Sequence, residues 1–164
     1  MGVVCGYYIV NDQIINRFVV HHENAQEFFD INFTNVTGKY HLPYETVFEL
    51  DKGWDIAHYL LKRCDQTAEN VLQFLDGQSF SNKTGSDKCS YIKSETVRKI
   101  DLALQSISLK DVMQVHQTIQ QLPDDIYGAA FFDQLEYILN HVDIIKRAFK
   151  KAHENNRGIV INFH

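Results

Sequence analysis

The sequence predicts a helix-dominated α+β domain in which the two ends of the chain meet in one small sheet. Three observations predict it. Apolar, β-branched runs occupy residues 3–10 and 159–163. Amphipathic segments of helical period fill the space between them. No internal repeat, Pro-rich linker or shift in composition divides the chain, so residues 1–164 read as a single domain.

The elements follow in order. Residues 3–10 form a buried strand. Asp12 is placed to cap a helix carrying Ile14, Ile15, Phe18 and Val19. A second short helix is expected over Glu23–Phe29, and Asn32–Pro43, rich in Asn, Thr and Gly, reads as loop. From residue 51 a strong helical pattern carries Trp54, Ala57, His58 and Leu61, with Asp51 at the capping position. Thr67 can cap a short helix that holds Val71, Leu72 and Leu75 and ends at Gly77. Residues 76–89 are polar and turn-rich, the segment most expected to move.

Ser94 is placed to cap a helix with Val97, Ile100, Leu104 and Ile107. Ser108 and Asp111 make a capping-box start for the next, which stops near Pro123. The last helix repeats Phe132, Leu135, Leu139, Val142, Ile145 and Phe149. Its acids lie early and its bases late, and Gly158 marks its end. Ile159–Phe163 closes the chain as a strand.

A chain of 164 residues that is 45% apolar and 12% aromatic can build a core without a disulfide or metal staple. This composition excludes disorder, low complexity and a disulfide-rich miniprotein. Sixteen Lys and Arg stand against 21 Asp and Glu, a net charge of −5. A nucleic-acid partner is therefore not expected, because phosphate binding needs a basic face. A basic protein partner suits this balance better.

The cysteines, Cys5, Cys64 and Cys89, are odd in number and widely spaced, which fits a reducing cytoplasm and a buried thiol at Cys5. The first apolar run is too short to span a bilayer and has neither a basic flank nor a cleavage site, so no membrane or export role is expected. The N-x-T sequons at Asn32, Asn35 and Asn82 then carry no consequence.

No phosphate loop, dinucleotide fingerprint, nucleophile elbow, zinc-protease motif or EF-hand loop occurs. None of the eight histidines recurs with a second ligand at a metal-binding spacing, so no metal or cofactor is expected. The most distinctive constellation is Asp51, Trp54 and His58, at i, i+3 and i+7 of the expected helix. A carboxylate and an imidazole flanking an aromatic wall can hold a polar ligand or orient a general base. The same residues also have a purely structural reading: Asp51 caps, Trp54 fills the core and His58 bonds a neighbouring backbone group. Lys52, Asp55 and Tyr59 read as a solvated stripe. The Lys146, Arg147, Lys150 and Lys151 cluster complements the dipole of the last helix. Tyr127, Phe131 and Phe132, following Asp124 and Asp125, form either a recognition patch with an acidic rim or an aromatic turn packed into the core.

The segment Leu50-Asp51-Lys52-x-Trp54-x-x-x-His58 with Tyr59-Leu60-Leu61, the stretch Ser90–Val97, the Asp125-Ile126-Tyr127 turn and the closing helix and strand together resemble the YfbM-like family of bacterial proteins. The resemblance runs over nearly the whole chain in order. It implies a compact α+β fold in a bacterial cytoplasm, and it brings no reaction, substrate or catalytic residue with it.

Two functions are then open. The first is a non-catalytic protein-binding module, such as an immunity or antitoxin-like inhibitor of a basic toxin, for which Tyr127 is a candidate contact. The second is a small-molecule-binding or hydrolase-like site built around Asp51, Trp54 and His58.

Overall fold

The computed structural model describes residues 3–21, 46–80 and 89–163. The helix expected at 23–29 and the loop expected at 32–43 lie outside them. The described residues form an α+β fold. In chain order it runs β1 (Cys5–Val10), α1 (Asp12–Val20), β2 (Val47–Leu50), α2 (Trp54–Cys64) and a 3-10 helix (Val71–Asp76). Then come β3 (Gln78–Ser79), β4 (Cys89–Ile92), α3 (Ser94–Ser106), α4 (Leu109–Thr118), a 3-10 turn (Ala129–Phe131), α5 (Leu135–Glu154) and β5 (Gly158–Phe163).

The five strands form one antiparallel sheet in the order β2-β1-β5-β4-β3. The terminal strands do pair, from Cys5 opposite Phe163 to Val10 opposite Gly158, and both are inner strands of the sheet, next to each other. Side chains alternate across a strand. Cys5, Tyr7 and Ile9 therefore enter the main core with Ile159 and Ile161. Tyr8, Val10 and Val160 enter a second cluster with Ile15 and Phe18 of α1 on the other face. Coverage on both faces explains why these strands are continuously apolar rather than alternating.

The main core is closed by apolar residues of α2, α3 and α5, among them Leu60, Leu61, Ile100, Leu104, Val142 and Phe149, all fully buried. Cys5 lies among them, and burial pushes its thiol well above its ordinary range, so it stays a protonated, inert thiol.

Several helix starts differ from the expectation. Asn11, not Asp12, caps α1, its side-chain oxygen accepting from Ile14 N–H at 3.1 Å. Asp12 instead caps α3 from another element: its carboxylate accepts from Ser94 N–H at 3.1 Å and from Ser94 Oγ at 2.7 Å. Ser94 is thus the first residue of α3 rather than its cap, and Lys93 holds the cap position. The Ser108–Asp111 capping box forms as expected. Helix α4 ends at Thr118, ahead of Pro123, and α5 begins at Leu135, so Phe132 precedes it.

Gly158 opens β5 instead of ending α5; Asn156, at φ 51°, makes that turn, Asn tolerating the left-handed region better than most residues. Thr67 holds the approach to the 3-10 helix, its Oγ1 accepting from Val71 N–H at 3.1 Å, while Asp65 accepts from Leu72 N–H at 2.7 Å. Within the 76–89 segment, Gln78–Ser79 and Cys89 belong to strands, and residues 81–88 lie outside the described residues.

Candidate functional site

Asp51, Trp54, His58 and Tyr127 do not share one helix face. Helix α2 starts at Trp54, with Gly53 in the cap position and no side-chain cap. Asp51 therefore lies outside the helix. It does not cap it, and the i, i+3, i+7 spacing with the other two therefore does not set all three on one helix face. Its backbone carbonyl accepts from Trp54 N–H at 3.1 Å, while its carboxylate accepts from the Tyr137 hydroxyl at 3.1 Å. A hydrogen bond from the Lys52 backbone, helped by that of Tyr137, holds the Asp51 carboxyl below its usual range.

Trp54 and Tyr127 are brought together, and what they hold is the chain's own first strand. Their rings stack with centroids 6.2 Å apart. The indole N–H donates to the Val3 carbonyl at 3.3 Å, and Val3 N–H donates to the Tyr127 hydroxyl oxygen at 2.7 Å. The backbone N–H and C=O of one residue, Val3, on the approach to β1 are thus gripped by two aromatic side chains. Trp54 is half-buried, packed on Phe163 at 4.8 Å between centroids, rather than filling the core. The turn that delivers Tyr127 depends on Gly128: at φ 76° it occupies the left-handed region, and a Cβ there would lie 2.3 Å from the Lys52 carbonyl oxygen.

His58 is fully buried and engaged at both nitrogens. Its Nδ1–H donates to Asp76 Oδ1 at 2.9 Å, and its Nε2 accepts from the Tyr7 hydroxyl. Its partners are thus two side chains, not the backbone group expected. Lys62 completes the chain by donating to the other Asp76 oxygen. Burial opposes the charge on Asp76, but hydrogen bonds from His58 and Lys62 outweigh it and hold the carboxyl at about 2. Burial also keeps Tyr7 protonated, so it remains the donor.

The order carboxylate, imidazole, hydroxyl is that of a nucleophilic triad. Here the hydroxyl has no solvent-exposed surface, and it serves to satisfy an imidazole inside the core.

Asp55 is the residue that the sequence reading placed on a solvated stripe and the structure places in the site. Its Oδ2 accepts from Tyr127 N–H at 2.8 Å. Burial raises its carboxyl above the usual range, with the nearby Asp76 charge adding to the effect. Tyr7, Lys62 and Asp76 were also missed. The only hint of Tyr7 was a hydroxyl at an inward position of an apolar strand.

The charge of the chain is unevenly placed. From residue 111 to residue 145 there are six acids (Asp111, Asp124, Asp125, Asp133, Glu136 and Asp143) and neither Lys nor Arg. This stretch alone carries −6 against −5 for the whole chain. Asp124, Asp125, Asp133 and Glu136 are exposed, and Tyr127, Phe131 and Phe132 among them are half-buried. The basic cluster has ordinary duties: Lys146 Nζ donates to the Ile107 carbonyl at 2.6 Å and Arg147 pairs with Asp143 at 2.8 Å.

Among the described residues, no group of three His, Cys, Asp or Glu is placed to hold a metal ion, and no helix is long and apolar enough to cross a membrane.

No curated protein matches the chain. It is similar to the crystal structure of YfbM from Escherichia coli, a protein of unknown function. The TM-score is 0.57 at 13% identity, over 98% of this chain and 99% of that one, a likeness of fold. A family described as a domain of unknown function, DUF1877, matches residues 1–162. With the match spanning nearly every residue, the chain belongs to the DUF1877 family.

Proposed function

We propose that this protein is a cytoplasmic, non-catalytic binding module that recognises a basic protein partner, as an immunity or antitoxin-like inhibitor does. The observation that carries the reading is the concentration of negative charge between residues 111 and 145 around half-buried aromatics. Carboxylates speed encounter with a basic surface and fix its orientation, while aromatic side chains supply the contact area. Asp51, held by Tyr137, adds a carboxylate from another part of the chain to this acidic stretch, and Tyr127 lies within the stretch.

The alternative of a hydrolase around Asp51, Trp54 and His58 is weaker. His58 has no free ring nitrogen and no exposed surface, and Asp51 is tied to Tyr137 rather than to the imidazole.

Native mass spectrometry of the protein purified gently from its own host tests the reading. The expected result is a stoichiometric complex with a basic protein that is lost in the triple variant Asp124→Asn, Asp125→Asn, Glu136→Gln and weakens steeply with salt. A complex indifferent to both, or a bare monomer in the wild type, overturns it.

A further inference from the structure

A second site, sharing no residue with the acidic 111–145 stretch, lies at the β3 edge of the sheet. The 3-10 helix, β3–β4 and the start of α3 enclose a cleft of about 520 Å³. This falls within the range of about 300–1,000 Å³ typical of small-molecule sites. Its apolar lining includes Val71, Phe74 and Tyr91. Phe74 is 52% exposed, an unusual state for a phenylalanine. Its cationic side is made by Lys93 and Lys99, with Glu69 the only acid in the lining among the described residues. Glu69 sits 3.8 Å from Lys99, both side chains being more than half exposed, so this ion pair is loose and holds Lys99 weakly.

The cleft is built rather than accidental. Asp76, the last residue of the 3-10 helix, is fixed at both ends: its carboxylate is held by His58 and Lys62, and its carbonyl accepts from Ser90 Oγ at 2.6 Å. Gly77 then turns the chain at φ 72°, so close to β4 that a Cβ would lie 2.9 Å from both Ser90 Oγ and the Tyr91 carbonyl oxygen. The wall carrying Phe74 is thus tied to the core through the buried His58. A preformed wall lowers the ordering cost of binding.

We propose that this cleft is a binding site for a small planar aromatic anion. The ring lies against Phe74, and the anionic group meets the ammonium groups of Lys93 and Lys99. Among the described lining residues two lysines face one acid, an excess of positive charge on a protein that is acidic as a whole, which selects an anion over a neutral ring.

Titration with 2-naphthoate, followed by amide NMR shifts and calorimetry, tests the proposal, with the neutral 2-naphthamide and inorganic phosphate as controls. The expected result is saturable shifts at Gly77, Gln78, Lys93 and Thr96 with 2-naphthoate, and binding weaker by about tenfold or more for either control, as loss of a charge-assisted contact or of the ring contact dictates. The double variant Lys93→Gln, Lys99→Gln weakens 2-naphthoate by about tenfold at unchanged melting temperature, whereas Glu69→Gln tightens it. Equal binding of 2-naphthamide, shifts confined to other residues, weaker binding by Glu69→Gln, or no binding of 2-naphthoate at millimolar concentration overturns the proposal.

Discussion

Asp12 begins one helix and caps another: it is the first residue of α1, and its carboxylate receives both the backbone N–H and the hydroxyl of Ser94, 82 positions later, at the start of α3. A long-range contact thus satisfies groups that a local cap normally serves. Asp12→Ala is expected to lower stability by about 1–2 kcal/mol, the usual loss for a cap, with little effect from Asn11→Gly, which keeps a tolerated cap residue. Urea unfolding of both variants checks the contrast.

His58→Ala is expected to cost about 3 kcal/mol or more, because it opens a cavity and leaves the Tyr7 hydroxyl buried without a partner. Tyr7→Phe, which keeps the ring and leaves Nε2 unsatisfied, should cost about 1–3 kcal/mol. A double-mutant cycle measured by chemical denaturation should return a coupling between the two, and strict additivity would refute the link.

Asp76 gives the stability a definite acid limb. Its folded carboxyl is held at about 2 against an ordinary 3.8. A depressed carboxyl contributes stability that is complete above its unfolded value and disappears as the pH falls through its folded value. The wild type should therefore lose stability between about pH 4 and pH 2, more steeply than Asp76→Asn, which lacks that titration. With the side chain half exposed, solvent and salt reduce the size of the effect. Asp55 has the opposite sign. Its carboxyl is raised, so the charged form is disfavoured in the fold, and Asp55→Asn is expected to raise the melting temperature at pH 7. Melting curves from pH 2 to 7 read both effects.

Gly128→Ala is expected to destabilise by about 2 kcal/mol or more, since it combines a left-handed backbone with a clash on the Lys52 carbonyl. Tyr127→Phe removes only the acceptor of Val3 N–H. It should leave the melting temperature within a few degrees of wild type while speeding hydrogen exchange at the Val3 amide. An unchanged exchange rate would rule out the grip on that peptide.

How much of this could be read from residue order depends on how local each signal is. The apolar runs of the two end strands, the apolar stripes of α2, α3 and α5, and the Ser108–Asp111 box rest on patterns within a few residues, and they are present in the structure. Strands β2, β3 and β4 were not resolved as strands because they are two to four residues long, too short to show a period. Caps at Asp12, Asp51 and Ser94 were misplaced for a related reason: Asp and Ser are good caps wherever they stand, and tertiary contacts decide which helix end they serve. Trp54 and His58 stood out in the sequence, but their partners (Val3, Tyr7, Asp76 and Tyr127) are distant along the chain, and no spacing rule joins them.

The placement of β1 and β5 side by side at the heart of the sheet sets an order for synthesis. β1 leaves the ribosome well before β5, and until residues 158–163 emerge one of its edges stays open. A chain stalled or clipped before Gly158 would carry that exposed edge, and with it a tendency to pair with other copies. Because the two strands lie antiparallel with Cys5 opposite Phe163, a short peptide bridging the two ends would fuse them into a hairpin, and new termini cut elsewhere would then give a chain that closes its central pair early.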